Sequence, residues 1–323
     1  MVIPSVGYWW MWLGFVVLVL VMLAVDMFLL GRQGAHKVSV KEALGWSIVW
    51  VSLAMIFNGA LWWYLDGQMG RKIANEKALE FFTGYLIEKS LAMDNVFVFL
   101  MIFGYFAIPA EYQRRVLLYG VFGAIIMRAV MIFMGGWLIT KFHWVLYFFG
   151  LFLLLTGVKM FFFVDAKPDL EKNPLLRWMR GHLKITNEYH GGKFFVVKAG
   201  IRYATPLFLV LALVEFTDLI FAVDSIPAIF AVTEDPFIVF TSNIFAIMGL
   251  RAMYFLLADV AGRFHLLKYG LALVLMFIGL KMLIIELYKI PVVLALGVVV
   301  AILATSTILS IATTRNLERG KVS

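Results

Sequence analysis

Two apolar stretches of this chain carry carboxylates in nearly the same phrase: Glu88-Lys-Ser-Leu-Ala-Met-Asp94-Asn95 and Asp218-Leu-Ile-Phe-Ala-Val-Asp224-Ser225. In each, an acid is followed six positions later by an Asp, with Ala two residues before that Asp and a small polar residue directly after it. An ionised group at the centre of a bilayer costs ~2.5–3.5 kcal/mol on insertion scales, so acids persist there where they have a task. The chemistry such groups offer is hard-cation ligation by oxygen. The chain has no cysteine, and its five histidines (His36, His143, His182, His190, His265) fall in loops or at segment ends. What remains inside the apolar segments is carboxylate, amide, hydroxyl and carbonyl oxygen, a set that suits Mg²⁺, Ca²⁺ and Mn²⁺ rather than copper or a thiolate zinc site. Met93 beside Asp94 adds a thioether that would favour Mn²⁺, or is simply a packing methionine.

Spacing constrains how these groups converge. Six residues on an ideal helix leave Glu88 and Asp94 about 120° apart, and Asp218 and Asp224 likewise, so one straight helix does not aim both at a single ion. Pro227 removes a backbone donor and crowds the carbonyl of Val223, which predicts a bend or opening near Ala222 to Ile226. Carbonyls freed there would join Asp224 and Ser225 as ligands, while in the first phrase Asn95 would contribute its side-chain oxygen. Glu215 and Asp218, about 60° apart on a helix, can act as a pair. Buried charges must pair, coordinate an ion or neutralise, so Arg128 and Arg251 are expected as counter-ions of the acidic spans, either in the empty pathway or as permanent structural pairs. Lys159 and Lys281 lie toward segment ends, where snorkelling is expected. A fainter echo, Leu23-Ala24-Val25-Asp26, places Asp26 either at an interface or in the pathway.

These residues are positioned by membrane-spanning helices. Of 323 residues 63% are hydrophobic and 15% charged, with a mean hydropathy of +0.94, which no soluble domain could hide from water. Apolar runs predict nine spans near 8–30, 43–65, 79–106, 116–138, 144–163, 205–232, 237–258, 267–288 and 290–312. The first lacks a preceding basic residue and a small-residue cleavage site, and reads as a retained helix. The net charge of +8 follows the membrane, not nucleic acid: from an external N-terminus, 18 of the 28 Lys/Arg fall on one side, giving N-terminus out and C-terminus in. Trp9, Trp10, Trp12, Trp62, Trp63 and Tyr64 would form the outer aromatic belt.

The whole chain, 1–323, reads as a single transmembrane domain of all-α polytopic class. Its one long connection, 164–204, is expected as a cytosolic loop with a short amphipathic helix near Leu175 to Ile185. The loop separates two halves with landmarks in the same order. Arg128-Ala-Val-Met answers Arg251-Ala-Met-Tyr, Phe142-His143 answers Phe264-His265, and Gly157-Val-Lys159-Met160 answers Gly279-Leu-Lys281-Met282. Units 79–163 and 205–288 each hold three spans, so the second runs through the membrane in reverse, an inverted repeat of the kind found in secondary transporters. No Gly-rich phosphate loop, no His-Glu-x-x-His and no Gly-x-Ser-x-Gly is present, which removes a visible ATP site and an evident protease or hydrolase. The expectation is a transporter and not an enzyme.

The acidic phrases, together with Glu215-Phe-Thr-Asp218, Ser242-Asn-Ile-Phe-Ala-Ile-Met-Gly-Leu-Arg251 and the Gly31-Arg-x-Gly-Ala-His36 loop, resemble the TerC family, named for tellurium resistance, and within it the Alx branch. The resemblance covers nearly the whole chain. It implies a bacterial inner-membrane protein associated with manganese efflux, with Glu88, Asp94, Asn95, Glu215, Asp218, Asp224 and Ser225 forming or lining the metal path. The expected function is therefore secondary export of a divalent metal, Mn²⁺ foremost, with exchange against protons as the coupling that carboxylate ligands allow, lipid as the surrounding partner, no nucleic acid and no resident cofactor. The alternatives are a monovalent cation/proton antiporter and a non-transporting membrane scaffold or metal sensor acting through 164–204.

Overall fold

The computed structural model describes residues 5–33, 39–142, 144–162, 173–186, 188–198, 200–258 and 266–320, with the side chains of 28–33, 40, 94 and 314–320 also outside the description. His36, His143 and His265 thus lie outside the described residues. Long helices dominate: α1 (Trp9–Gln33), α2 (Val40–Met69), α3 (Arg71–Tyr105), α4 (Ala110–Lys141), α5 (Val145–Phe162), α7 (Pro206–Phe230), α10 (Leu267–Leu283) and α11 (Val292–Gly320), with the shorter α6 (Pro174–His182), α8 (Pro236–Met248) and α9 (Leu250–Ala258) between them. The protein is an all-α integral membrane protein. Among the described residues, seven segments are long and apolar enough to cross a bilayer, α8 and α9 counting together as one. Nine were expected. Neither α3, which carries Glu80, Glu88, Lys89 and Asp94, nor α10, only 17 residues long, is among the seven.

Hydrogen bonds at the helix ends define two faces of the bundle. On the near face, Ser5 Oγ and the Val6 amide bond Asp235, which caps α8, and Thr233 just beyond α7 donates to Glu80 in the first part of α3 at 2.6 Å. On the far face, Tyr189 donates to the Phe106 carbonyl just beyond α3 at 2.6 Å, and Tyr254 of α9 donates to Gln113 of α4. Helices α3 and α7 therefore run antiparallel. Between α6 and α7 the connection forms a two-stranded hairpin, β1 (Phe195–Lys198) and β2 (Ile201–Ala204), closed by Gly200 at φ 75°. The amphipathic helix expected there is α6: Asn173 caps it, Pro174 opens it, and Leu176 and Met179 are buried while Trp178 is exposed. The hairpin was not anticipated.

The centre of the bundle is α8–α9, whose residues are buried throughout α8. It is enclosed by protein, and this is why Thr241, Ser242 and Asn243 can sit in a helix that is otherwise wholly apolar. Phe15, Phe57, Phe81, Phe237 and Phe245 bring α1, α2, α3 and α8 into one aromatic cluster, with neighbouring ring centroids 5.0–6.4 Å apart. The helix break foreseen at Pro227 occurs elsewhere. Helix α7 is continuous through that proline, which stands in its last turn. The interruption lies at Gly249, between α8 and α9, and Lys89 Nζ donates to the buried Ala246 carbonyl there at 3.1 Å.

Helices α5 and α10 make the tightest contact, through glycines. A Cβ at Gly157 would stand 2.8 Å from the Ala272 oxygen and the Met276 nitrogen; one at Gly279 would stand 2.7 Å from the Gly150 oxygen and 2.6 Å from the Leu154 nitrogen. The two contacts exchange with each other. With Gly157 matched to Gly279, position 150 corresponds to 272 and 154 to 276, so each helix presents the same sites to its partner, the form of contact a two-fold axis generates.

Candidate ion site

Where α3 and α7 cross, Glu88 and Asp218 share one partner, Arg128 of α4, which lies between them. Its side chain is completely buried. Nε donates to Asp218 Oδ2 at 3.3 Å and Nη2 to Asp218 Oδ1 at 3.1 Å, a forked contact, while Nη1 is paired with Glu88. Nη1 also points at Ser225 Oγ (3.3 Å) and Asn243 Oδ1 (3.2 Å). The amide of Asn243 donates to the other Glu88 oxygen at 3.1 Å, and Asn95 donates to Asp218 Oδ1 at 3.3 Å. In a low-dielectric interior, two carboxylates and one guanidinium persist only with their remaining lone pairs met, and the amides do that.

The network exchanges its partners as the glycine contact does. Glu88 matches Asp218 in the two phrases, and Asn95 matches Ser225. Across the crossing, Asn95 reaches Asp218 and Ser225 interacts with Glu88. Antiparallel helices then send the second acid of each phrase in opposite directions. With Asn95 level with Asp218 and Ser225 level with Glu88, Asp94 stands at the Asp218 level toward the far face and Asp224 at the Glu88 level toward the near face, about 8 Å apart along the bundle. The side chain of Asp94 lies outside the described residues.

A cavity of about 50 Å³ adjoins the network, lined by Glu88, Asn95, Arg128, Thr156, Asp224 and Ser225 on its polar side. Asp224 is half-buried there, hydrogen-bonded to Thr156 of α5, with Lys159 electrostatically close. The volume suits one or two water molecules or one partly dehydrated cation. Glu215 lies electrostatically close to Asp218, as its spacing predicts, and packs over Gly123 of α4, where any Cβ would collide with its carboxylate. Among the described residues, no group of three or more His, Cys, Asp or Glu is arranged to hold a metal ion. In this arrangement Arg128 occupies the acids.

Of the other cations, Arg251 departs from expectation. Arg251 does not serve the acidic spans. It pairs with Asp26 of α1, both residues being buried, because α9 packs beyond the Gly249 break on the far-face side. The faint Ala-Val-Asp26 echo thus supplies an acid for the arginine that matches Arg128. Lys281 extends to the near-face end of the bundle, where it donates to the Ala231 carbonyl at 2.9 Å with Glu80 electrostatically close and lines a polar pocket with Glu80 and Thr233, and Lys159 is exposed. Sequence reasoning missed Asn243, a single amide in an apolar helix, and Thr156. Buried amides in spanning segments are themselves rare enough to have been a signal for Asn243.

Fold and network together define a polytopic helical membrane protein built around a buried carboxylate–guanidinium centre. Residues 73–318 match the family model described as integral membrane protein TerC family, and the chain belongs to that family. It is 60% identical over 306 residues to an Escherichia coli (strain K12) protein named "Putative membrane-bound redox modulator Alx", covering 95% of each chain. A Salmonella typhi protein of the same name is 59% identical, also over 95% of each chain. An uncharacterized membrane protein of Myxococcus xanthus is 49% identical over 97% of this chain and 95% of its own length. No solved structure matches the chain.

Proposed function

We propose that this protein is a secondary exporter of a divalent metal ion, Mn²⁺ foremost, located in the bacterial inner membrane with the near face outside and the far face in the cytosol. The observation that carries the reading is the midplane centre, where Glu88, Asn95, Asp218 and Ser225 of the two matched phrases, with Asn243 of α8, supply oxygens beside a cavity of ionic size. Hard-oxygen donors of this kind suit Mn²⁺, Mg²⁺ and Ca²⁺. Asp94 and Asp218 in the layer toward the cytosol would receive the ion, and Glu88 and Asp224 in the layer toward the outside would release it. Units 79–163 and 205–288, related as inverted repeats, would rock about the crossing. The exchanging contacts at Gly157 and Gly279 support that relation. Metal uptake into inverted vesicles tests the assignment. Asp94→Ala and Asp224→Ala should each reduce Mn²⁺ uptake at least tenfold relative to the native protein; uptake left intact by both substitutions would remove the site.

A second reading starts from the redox-modulator name carried by relatives in Escherichia coli and Salmonella typhi. These 323 residues contain no cysteine, so they hold no thiol–disulfide couple of their own. A redox role would be exerted through the metal that is moved. It is tested by whether the redox phenotype follows the same Asp94 and Asp224 substitutions.

A further inference from the structure

Arg128 makes more contacts to the ion site's acids than any ligand could make while it stays in place. Its Nε, Nη1 and Nη2 engage both matched carboxylates and also Ser225 and Asn243, and its side chain is fully buried at the level where α3 and α7 cross. It also lines the cavity on the Asp224 side. A cation arriving at Glu88 or Asp218 meets a fixed positive charge within a few ångström, in a medium where like charges repel strongly. The matching arginine of the second unit, Arg251, is committed to Asp26. One guanidinium therefore serves both carboxylates.

We infer that Arg128 is a tethered competitor for the transported cation: it holds Glu88 and Asp218 when no ion is bound, and an ion crossing the midplane displaces it from one carboxylate at a time. The inference rests on the reading of the acids as a metal path. Its physical advantage is twofold. With the pathway empty, the two carboxylates are never left buried without a partner, which would be strongly unfavourable. With an ion present, return of the guanidinium lowers the ion's affinity, and conduction requires binding weak enough to leave. A purely structural ion pair makes the opposite prediction, since its loss would disorder the oxygens and weaken metal binding.

The test measures equilibrium Mn²⁺ binding to the purified full-length protein, from the loss of the free-ion signal in electron paramagnetic resonance, alongside Mn²⁺ flux in proteoliposomes. Arg128→Gln should tighten Mn²⁺ binding about tenfold or more while slowing flux. A folded Arg128→Gln protein with unchanged or weaker binding overturns the inference. If Arg128→Gln does not fold, Arg128→Lys decides: a lysine keeps the charge without the fork, so binding should tighten roughly threefold or more, and unchanged affinity overturns the role. Failure of the native protein to bind Mn²⁺ at all overturns the metal-path reading and this inference together, whereas native binding with an insensitive Arg128 removes the inference alone.

Discussion

At the residue scale, the buried centre is governed by how completely each lone pair and N–H is met. Asn243 bridges the pair, donating to Glu88 and accepting from Arg128, and is wholly enclosed in α8. Asn243→Ala leaves one carboxylate oxygen and one guanidinium N–H short of a partner. The expected loss is about 1–3 kcal/mol, read as a lowered midpoint of thermal unfolding in detergent; an unchanged midpoint would mean the amide is not part of the centre. The Asp26–Arg251 pair calls for a larger effect. Asp26→Ala strands a buried guanidinium in α9 and should cost about 3–5 kcal/mol, with Asp26→Asn falling between it and the native protein. Equal, small effects of the two substitutions would show that the pair is solvated.

Helix packing decides the next scale. Helices α5 and α10 approach closely because Gly150, Gly157 and Gly279 present no side chain at the crossing, and lipid offers no hydrophobic drive to hold them together otherwise. Adding a methyl at Gly279 sets a Cβ 2.6 Å from the Leu154 nitrogen, and backbone cannot yield as a flexible side chain does. Gly279→Ala and Gly157→Ala should each destabilise by about 1–3 kcal/mol, and by similar amounts, since the contacts exchange. Gly14 and Gly297 have nothing within 4 Å, so alanine there should be neutral or mildly stabilising. Thermal unfolding of the four variants separates crossing from surface; four equal midpoints would refute the packing argument. Helix α7 runs unbroken through Pro227 while Gly249 divides α8 from α9, and at that division the buried Ala246 carbonyl finds the Lys89 ammonium.

For the whole molecule, antiparallel α3 and α7 convert one repeated phrase into stations on opposite sides of the midplane. Two helices carrying Glu88…Asp94 and Asp218…Asp224 in the same direction would stack all four acids in two layers. Run oppositely, they set Glu88 level with Ser225 and Asn95 level with Asp218, which leaves Asp224 in the layer toward the near face and Asp94 in the layer toward the far face, about 8 Å apart along the bundle. The absence of native cysteine makes this directly measurable. In Asp94→Cys and Asp224→Cys proteins, a membrane-impermeant thiol reagent should modify position 94 from the cytosolic face and position 224 from the outer face. Modification of both from the same face would overturn the two-station arrangement and, with it, the inverted relation of the units.

Composition and pattern alone determined the membrane class, the family resemblance, the amphipathic helix at α6 and the residues in which the buried charge resides, because burying acids in apolar segments is costly enough to leave an unmistakable mark in one dimension. They also paired Glu88 with Asp218 and Asn95 with Ser225, position by position. Which charges meet was decided only in three dimensions. Arg128 and Arg251 are alike in sequence, yet one closes on Glu88 and Asp218 while the other closes on Asp26. Periodicity specifies the face of a helix on which a side chain stands, but the partner it finds depends on helix crossing and tilt, which arise from packing between segments far apart in the chain.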